Sequence, residues 1–401
     1  MLSEEYIENL IQPMIDRQEK INIYVLQTIA KRLKQIGKLT YSDYNRLQSI
    51  IRTGTDINLI NTKLADLTSM QIKDINKIIQ SVGVSAYNDA SSLFDSLGIE
   101  FIPYKQNKSL QRIVSSIASN TASTFLNLSG STGFMLRDLQ HPGKLIPTSI
   151  SRTYQSIIDE AIQAISFGNI DYNTAIRRSV EQLTDSGVRY IQYNNTGKPY
   201  TQRMDTAVRR NILDGIRAVN QGVQNEIGKE IGADGVEITV HQFPAYDHAP
   251  VQGHQFTNEE FEKMQNAQNF EDVDGQKFVG FERAIGTLNC RHFTYAIKVE
   301  FTPPVYSKKQ LAQIIENNEK GYTLPRGKHL TMYECTQQQR LMETKIRKDK
   351  EGYIVAQNLG DDMLLEKFTA KLNKDMTAYK TFSHQCGLSV KIDRLYVAGY
   401  K

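Results

Sequence analysis

Between His241 and His292 this chain concentrates the side chains that ligate metals, activate nucleophiles or move protons near neutral pH. Four of its seven histidines and one of its three cysteines fall in that stretch. It reads His241-Gln-Phe-Pro-Ala-Tyr-Asp247-His248-Ala-Pro-Val-Gln252-Gly253-His254 and, after a helical insert, Asn289-Cys290-Arg291-His292. Imidazole nitrogen and thiolate sulfur suit tetrahedral zinc, which makes His241, His248, Cys290 and His292 the candidate metal ligands. Neither Cys290-Arg-His292 nor the wider His241 to His248 interval has the tight pairing of common zinc modules. A Cys–His nucleophile and base is a second reading, although no Asn or Asp orienter is identifiable by spacing. The third reading is structural: His241, His248, Gln252, Gly253, Asn289, Cys290, Arg291 and His292 hold an irregular loop through hydrogen bonds to backbone carbonyls, with Cys290 a small buried hydrophobe. The structural network is the reading the pattern favours. Zinc is the alternative cofactor, and no residue is assigned a catalytic role.

The elements that would position these residues are legible from periodicity. Val236, Ile238 and Val240 alternate, as do Phe293, Tyr295, Ile297, Val299 and Phe301, the pattern of two half-buried strands. If they pair, His241 at the end of the first strand meets Cys290 and His292, just before the second, together with His248. Between the strands, Thr257-Asn-Glu-Glu260 has the form of a capping box opening a short helix through Phe261 and Met264. Residues 233–304 are therefore expected to be a small α+β domain, closed by Pro303-Pro304.

Upstream, residues 1–232 read as helix after helix, a helical bundle domain. Ile60, Leu64, Leu67, Ile75 and Ile78 form one apolar stripe, and Ile157, Ala161, Ile162 and Ile165 another. The longest runs Val208, Ile212, Ile216, Val219, Val223, Ile227, spaced 4, 4, 3, 4 and 4, and should end at Gly232. Asn127-Leu-Ser-Gly-Ser-Thr132, His141-Pro-Gly143 and Asn194-Asn-Thr-Gly-Lys-Pro199 carry turn chemistry and are expected to interrupt the helices. Downstream, residues 305–401 are expected to form a helical extension with a basic tail. Its long charged helix has an apolar seam at Leu365, Phe368, Leu372, Met376 and Tyr379, with Lys345-Ile-Arg-Lys-Asp-Lys350 on the exposed side and an end at Gly387. The fold class expected is mainly α.

A formal net charge of +4 and a pI near 8.7 permit contact with an anionic partner without marking a dedicated nucleic-acid binder. Arg203, Arg209, Arg210 and Arg217 are the candidate phosphate contacts, guanidinium being suited to bidentate phosphate binding; the alternative is a solvated helix face. Three scattered cysteines make no disulfide framework, and no apolar run approaches the length of a membrane helix. With an acidic N-terminal segment, these features lead to the expectation of a soluble protein made in a cytoplasm. No Gly-rich phosphate loop, HExxH, GxSxG or paired-carboxylate motif occurs, so an enzyme is unsupported.

The order of the motifs resembles the phage minor capsid proteins of the minor capsid protein 2 type, related to the Mu F-like head proteins. Asn127-Leu-Ser-Gly-Ser-Thr132 is similar to that family's Asn-Leu-Thr segment, and the run from Gly187-Val-Arg-Tyr190 to Asp205-Thr-Ala-Val-Arg-Arg210 resembles its Gly, Tyr, Asp and Arg-Arg pattern. His241 through His248-Ala-Pro-Val-Gln252-Gly253 resembles its paired-His and Gln-Gly element, Asn289-Cys-Arg-His292 its Asn-Cys-Arg-His, and Gln339-Arg340 with Lys345 to Lys348 its closing helix. The resemblance implies a structural minor head protein, made in the bacterial host and placed inside the capsid near the portal. Its implied partners are portal and capsid proteins, with non-specific contact to packaged double-stranded DNA and a part in head assembly or genome ejection. The competing function is a metal-dependent hydrolase carried in the virion and using the His/Cys cluster.

Overall fold

The computed structural model describes residues 4–36, 55–138, 141, 143–167, 172–193, 199–271, 275–287, 290 and 292–400. In chain order the first elements are α1 (Glu4–Ile36), α2 (Thr55–Asn88), α3 (Ser91–Leu97) and α4 (Lys108–Gly130). Next come β1 (Thr132–Arg137), β2 (Leu145–Ser149), α5 (Ile150–Phe167), α6 (Tyr172–Ser186), β3 (Arg189–Tyr193) and β4 (Pro199–Arg203). The long α7 (Met204–Ile231) leads into β5 (Gly235–Ile238), β6 (Gln255–Thr257), α8 (Asn258–Gln265), β7 (Phe270–Glu271), β8 (Lys277–Phe278) and β9 (Thr294–Ile297). The chain closes with α9 (Lys308–Lys320), β10 (Tyr322–Thr323), β11 (His329–Leu330), α10 (Met332–Leu359) and α11 (Asp362–Gln385). The protein is mainly α with small antiparallel sheets. Among the described residues no helix is long and apolar enough to cross a membrane.

Two compact units are each assembled from three stretches of sequence. The first comprises Met1–Leu10, Lys73–Ser123 and Arg210–Gln338; the second comprises Ile11–Ile72, Thr124–Arg209 and Gln339–Lys401.

In the first unit the stripe of α7 is the organising surface. Ile212, Ile216, Val219, Val223 and Ile227 are all fully buried, and the helix ends where Gly232 takes the left-handed φ of 62°. Helix α4 approaches α7 closely: a Cβ at Gly215 would lie 2.6 Å from Thr121, and one at Gly222 would lie 2.7 Å from Ile113. Asn107 caps α4 through its Oδ1, which accepts from Leu110 N at 3.0 Å, while its Nδ2 donates to Glu230 on α7 at 2.7 Å. Downstream of α7, β5 is the central strand of a three-stranded sheet in the order β6-β5-β9, both pairings antiparallel. The predicted alternation and the predicted pairing are both present, although the strands are shorter than the pattern suggested, ending at Ile238 and Ile297. Thr257 and Glu260 form the expected capping box of α8. Beneath the sheet, Ile238, Val251, Phe256, Met264, Phe278, Phe281, Ile285 and Cys290 make a small separate core.

The second unit corrects the expectation of a purely helical bundle before residue 232. It contains a four-stranded antiparallel sheet, β2-β1-β3-β4. Among the described side chains of this sheet the mainly buried face is that of β1, carrying Phe134 and Leu136, whereas β3 and β4 are short and polar and give no apolar alternation to read. The turn expected at Asn127–Thr132 is also displaced, because α4 continues to Gly130. Leu128 is buried and Ser129 Oγ donates back to the Phe125 carbonyl at 3.1 Å, which keeps these turn-forming residues helical. Of the other two expected turns, Pro142 and residues 194–198 lie outside the described residues.

The charged C-terminal region of this unit is broken at Gly360 into α10 and α11. Ile346, Leu372, Tyr379 and Leu395 pack together, so the seam of α11 is covered by the chain's own α10 and tail. Lys345 to Lys350 is not a simple exposed face, contrary to expectation. Ile346 and Asp349 are buried, Arg347 Nη1 donates to the Arg394 carbonyl at 2.9 Å, and Lys350 Nζ donates to the Leu395 carbonyl at 2.7 Å. The run holds the tail in place by satisfying its carbonyls.

Asp349 of α10 faces Asp375 of α11. Burial, then the hydrogen bond and charge of Asp375, push its carboxyl up to about 7, against the partial relief of Lys371 and Lys345. The folded chain therefore keeps a proton here that the unfolded chain releases, and the stabilisation is present below about pH 4 and lost as pH rises through about 7. The Asp349→Asn variant removes that loss. Its melting temperature relative to the parent should shift in the variant's favour between about pH 5 and about pH 8, and a difference independent of pH would contradict the shared proton.

Candidate functional site

The site is built at one end of the β5/β9 pair. Ile238 lies opposite Thr294, and the pairing is prolonged by Thr239 N donating to the Phe293 carbonyl at 2.9 Å and Phe293 N donating to Thr239 Oγ1 at 2.9 Å. His241 and His292 thus leave neighbouring strands at the same end. The segment between β5 and β6 folds back as tight turns, with His248 N and Ala249 N both donating to the Ala245 carbonyl and Gln252 N to the His248 carbonyl. Its return is fixed by Gly253, whose N donates to the Ile238 carbonyl at 2.8 Å and whose φ is 72°.

Three side chains meet here. His248, Cys290 and His292 are 1%, 2% and 3% exposed, and one ligand atom from each lies within 4.8 Å of the others. Cys290 Sγ is 3.6 Å from His248 Nδ1 and 3.6 Å from His292 Nδ1. On their outer sides the imidazoles contact carbonyl oxygens: His248 Nε2 is 2.6 Å from the Arg283 carbonyl, and His292 Nε2 is 3.3 Å from Gln252 Oε1. An acceptor at Nε2 assigns the proton to that nitrogen in a neutral ring, leaving the Nδ1 lone pair facing the sulfur. Gln252 Oε1 also accepts from His241 N at 2.8 Å, which ties both strand ends to one buried amide.

A second layer fixes the first. Arg283 makes a two-point ion pair with Asp247, Nε to Oδ2 at 3.1 Å and Nη2 to Oδ1 at 3.0 Å, locking the loop that carries His248 to the loop whose carbonyl receives it. Arg217 of α7 donates to the Gly286 carbonyl at 2.9 Å, and Asn318 of α9 to the Pro244 carbonyl at 3.3 Å. The Phe281 ring meets His248 edge-on at 5.5 Å.

The electrostatics divide the two histidines. Burial pulls His248 down, but the Cys290 sulfur, the Arg283 carbonyl and Asp247 outweigh it, so its pKa is raised. Burial pushes the Cys290 thiol up, yet its bond to His248 and the adjacent backbone bring it below the usual thiol range. His292 falls well below its ordinary value through burial first and then the neighbouring His241, His248 and Arg283 charges. Neutral His292 keeps its Nδ1 lone pair toward Cys290. The arrangement can hold a proton between His248 and Cys290, or replace it by a cation bound by all three donors.

The structure thus brings together His248, Gln252, Cys290 and His292, with Gly253 at the turn. His241 stands beside them, its ring edge-on to His292 at 4.5 Å, and is outside the converging set. Asn289 and Arg291 lie outside the described residues. Sequence reasoning missed Arg283, which has no local pattern, and passed over Asp247, whose place next to His248 was the available signal.

The arginines proposed for phosphate do not share one surface role. Arg203, in the second unit, is 5% exposed and is held by carboxylates: Glu351 at 2.6 Å, Asp205 at 3.3 Å and Glu19 at 4.0 Å. Arg347 shares Asp205 at 2.9 Å. Burial alone would lower Arg203, but Glu351, Asp205 and Glu19 more than reverse it. Burial opposes ionisation of Asp205, and the two arginines nonetheless bring it down to about 2. Glu19 rises well above the carboxylate range through burial and then the charges of Asp205 and Glu351. An outward phosphate role for Arg203 is therefore corrected: its charge is neutralised within the fold. Arg217 is bound to Asp214 and the Gly286 carbonyl, whereas Arg209 and Arg210 are half-buried on α7.

Comparisons with curated proteins and with solved structures return no match. The sequence profile of the family described as phage minor capsid protein 2 matches residues 2–383, running through both compact units and taking in the β5/β9 site and the Arg203 cluster, and this chain belongs to that family.

Proposed function

We propose that this protein acts inside the phage head, at the portal and against the packaged DNA, where it assists head assembly or genome ejection. Its family makes it a minor structural protein of the virion with capsid proteins as partners. The observation that supports this reading is the family match over residues 2–383, which makes the chain a phage minor capsid protein. Its densest chemical clusters also serve the fold: His248, Cys290 and His292 are buried, and so are Arg203, Asp205 and Glu351. A mild positive charge of +4 suits non-specific, salt-sensitive contact with phosphates.

The test is to assemble proheads with and without the portal protein and measure how much of this chain stays in the purified particles. Retention should depend on portal. Equal retention without portal would sink the portal location while leaving a shell protein, and absence from both particles would sink the internal placement.

A further inference from the structure

We propose that His248 Nδ1, Cys290 Sγ and His292 Nδ1 form a binding site for one divalent cation of the zinc class, which pins the loops at the end of the β5/β9 pair. The inference is independent of where in the virion the protein sits. Its first support is distance. Zinc bonds of about 2.3 Å to sulfur and about 2.0 Å to nitrogen, set at a tetrahedral angle, place sulfur and nitrogen roughly 3.5 Å apart. Both sulfur–nitrogen separations in the site are 3.6 Å.

The second support is a shortage of protons. Each histidine directs Nε2 at a carbonyl oxygen, of Arg283 or of Gln252, so each presents its Nδ1 lone pair to the same sulfur. The Cys290 thiol carries one hydrogen and can serve only one of them. The other lone pair then faces sulfur, a poor partner, in a place where Cys290 and both rings are almost wholly removed from water. A cation accepts all three lone pairs at once and releases the thiol proton to solvent. The balance is simple: the S–H bond breaks, three coordination bonds form, and no electron is transferred.

The third support is the outer layer. Metal-bound imidazoles are held by acceptors at their other nitrogen, which fixes ring orientation and raises ligand basicity. Here the Arg283 carbonyl fills that role for His248 and the Gln252 amide oxygen for His292, and the Arg283–Asp247 ion pair holds the loop carrying the first. One thiolate with two imidazoles selects zinc-like ions over magnesium or calcium.

The full-length chain, stripped by chelator and dialysed, should be titrated with cobalt(II) as a spectroscopic stand-in. We expect saturation at one ion per chain, with a thiolate-to-cobalt charge-transfer band and tetrahedral visible bands that zinc abolishes. The Cys290→Ser variant should lose the charge-transfer band, while Cys335→Ser, altering another buried cysteine, should keep it. Zinc at hundredfold excess over its Kd should raise the parent's melting temperature by at least about 3 °C. Absence of cobalt bands in the folded parent, or an unchanged band in folded Cys290→Ser, would overturn the site. If Cys290→Ser does not fold, His292→Ala and the stoichiometry of the parent decide: an unaltered cobalt spectrum in His292→Ala, or saturation at other than one ion, rejects it.

Discussion

Replacing Arg203 by Met should cost about 3–5 kcal/mol of stability, because it removes the cation from a buried cluster without removing the anions. Glu351 and Asp205 are ion-paired to Arg203 at 2.6 and 3.3 Å, and Glu19 lies at 4.0 Å. After the substitution Arg347 remains 2.9 Å from Asp205 and 4.0 Å from Glu19, but no ion pair is left to Glu351 among the described residues. Arg203→Lys should recover less than half of the loss, since one ammonium cannot reproduce a planar fork that reaches Glu351 through Nη2 and Asp205 through Nε. There is also little slack in the position: a Cβ at Gly187 would lie 2.3 Å from Arg203 Nη1, so the glycine before β3 makes room for the guanidinium. Pairing Arg203→Met with Glu351→Met should restore a large part of the stability, as removal of both partners leaves fewer uncompensated charges. Denaturant melts of the three variants provide the check, and a loss below about 1 kcal/mol in Arg203→Met would show that the cluster is solvated in practice.

That cluster also marks where sequence patterns stop being informative. Arg203 looked like a phosphate ligand because its neighbourhood is rich in arginine, and no local feature connects it to Glu19 or Glu351. Ion pairs across such separations are decided by tertiary packing. Local rules did better where they act locally. The stripe from Val208 to Ile227, the capping box at Thr257 and the alternation that becomes β5 and β9 each reflect the geometry of one element, and each is present. The sheet of β1 to β4 escaped notice because β3 and β4 are polar and β2 is largely exposed, so no hydrophobic period betrays them. In the His/Cys region, paired strand ends implied convergence, and His248, Cys290 and His292 do converge. The Arg283–Asp247 lock and the Nε2 acceptors were not legible, since they depend on how two irregular loops fold back against each other.

Gly253→Ala should destabilise the protein by about 2–5 kcal/mol through two separable effects. The first is backbone strain, since φ is 72° and a Cβ in the left-handed region costs about 1–2 kcal/mol. The second is steric: a Cβ at this position would stand 2.4 Å from Leu311 Cδ2 and 2.8 Å from Val240 Cγ2, and overpacking of that kind costs about 1–3 kcal/mol. Gly98 supplies the control, because its φ of 66° is similar while nothing lies within 4 Å of its Cβ position. Gly98→Ala should therefore show the strain alone, about 1–2 kcal/mol. Leu311→Ala, combined with Gly253→Ala, should open space at the contact and make the pair less destabilising than the sum of the single changes. The position matters for the site because Gly253 N donates to the Ile238 carbonyl and the preceding residue is Gln252, whose amide oxygen joins His241 N to His292. A backbone shift at Gly253 that relieves the Leu311 contact moves that oxygen. Gly253→Ala should accordingly loosen the His292 ring as well as lower stability, measurable as faster exchange of the His241 backbone amide, whereas Gly98→Ala should leave that amide unchanged. Equal losses in the two alanine variants would show that the Leu311 contact relaxes freely and that only the backbone conformation requires glycine.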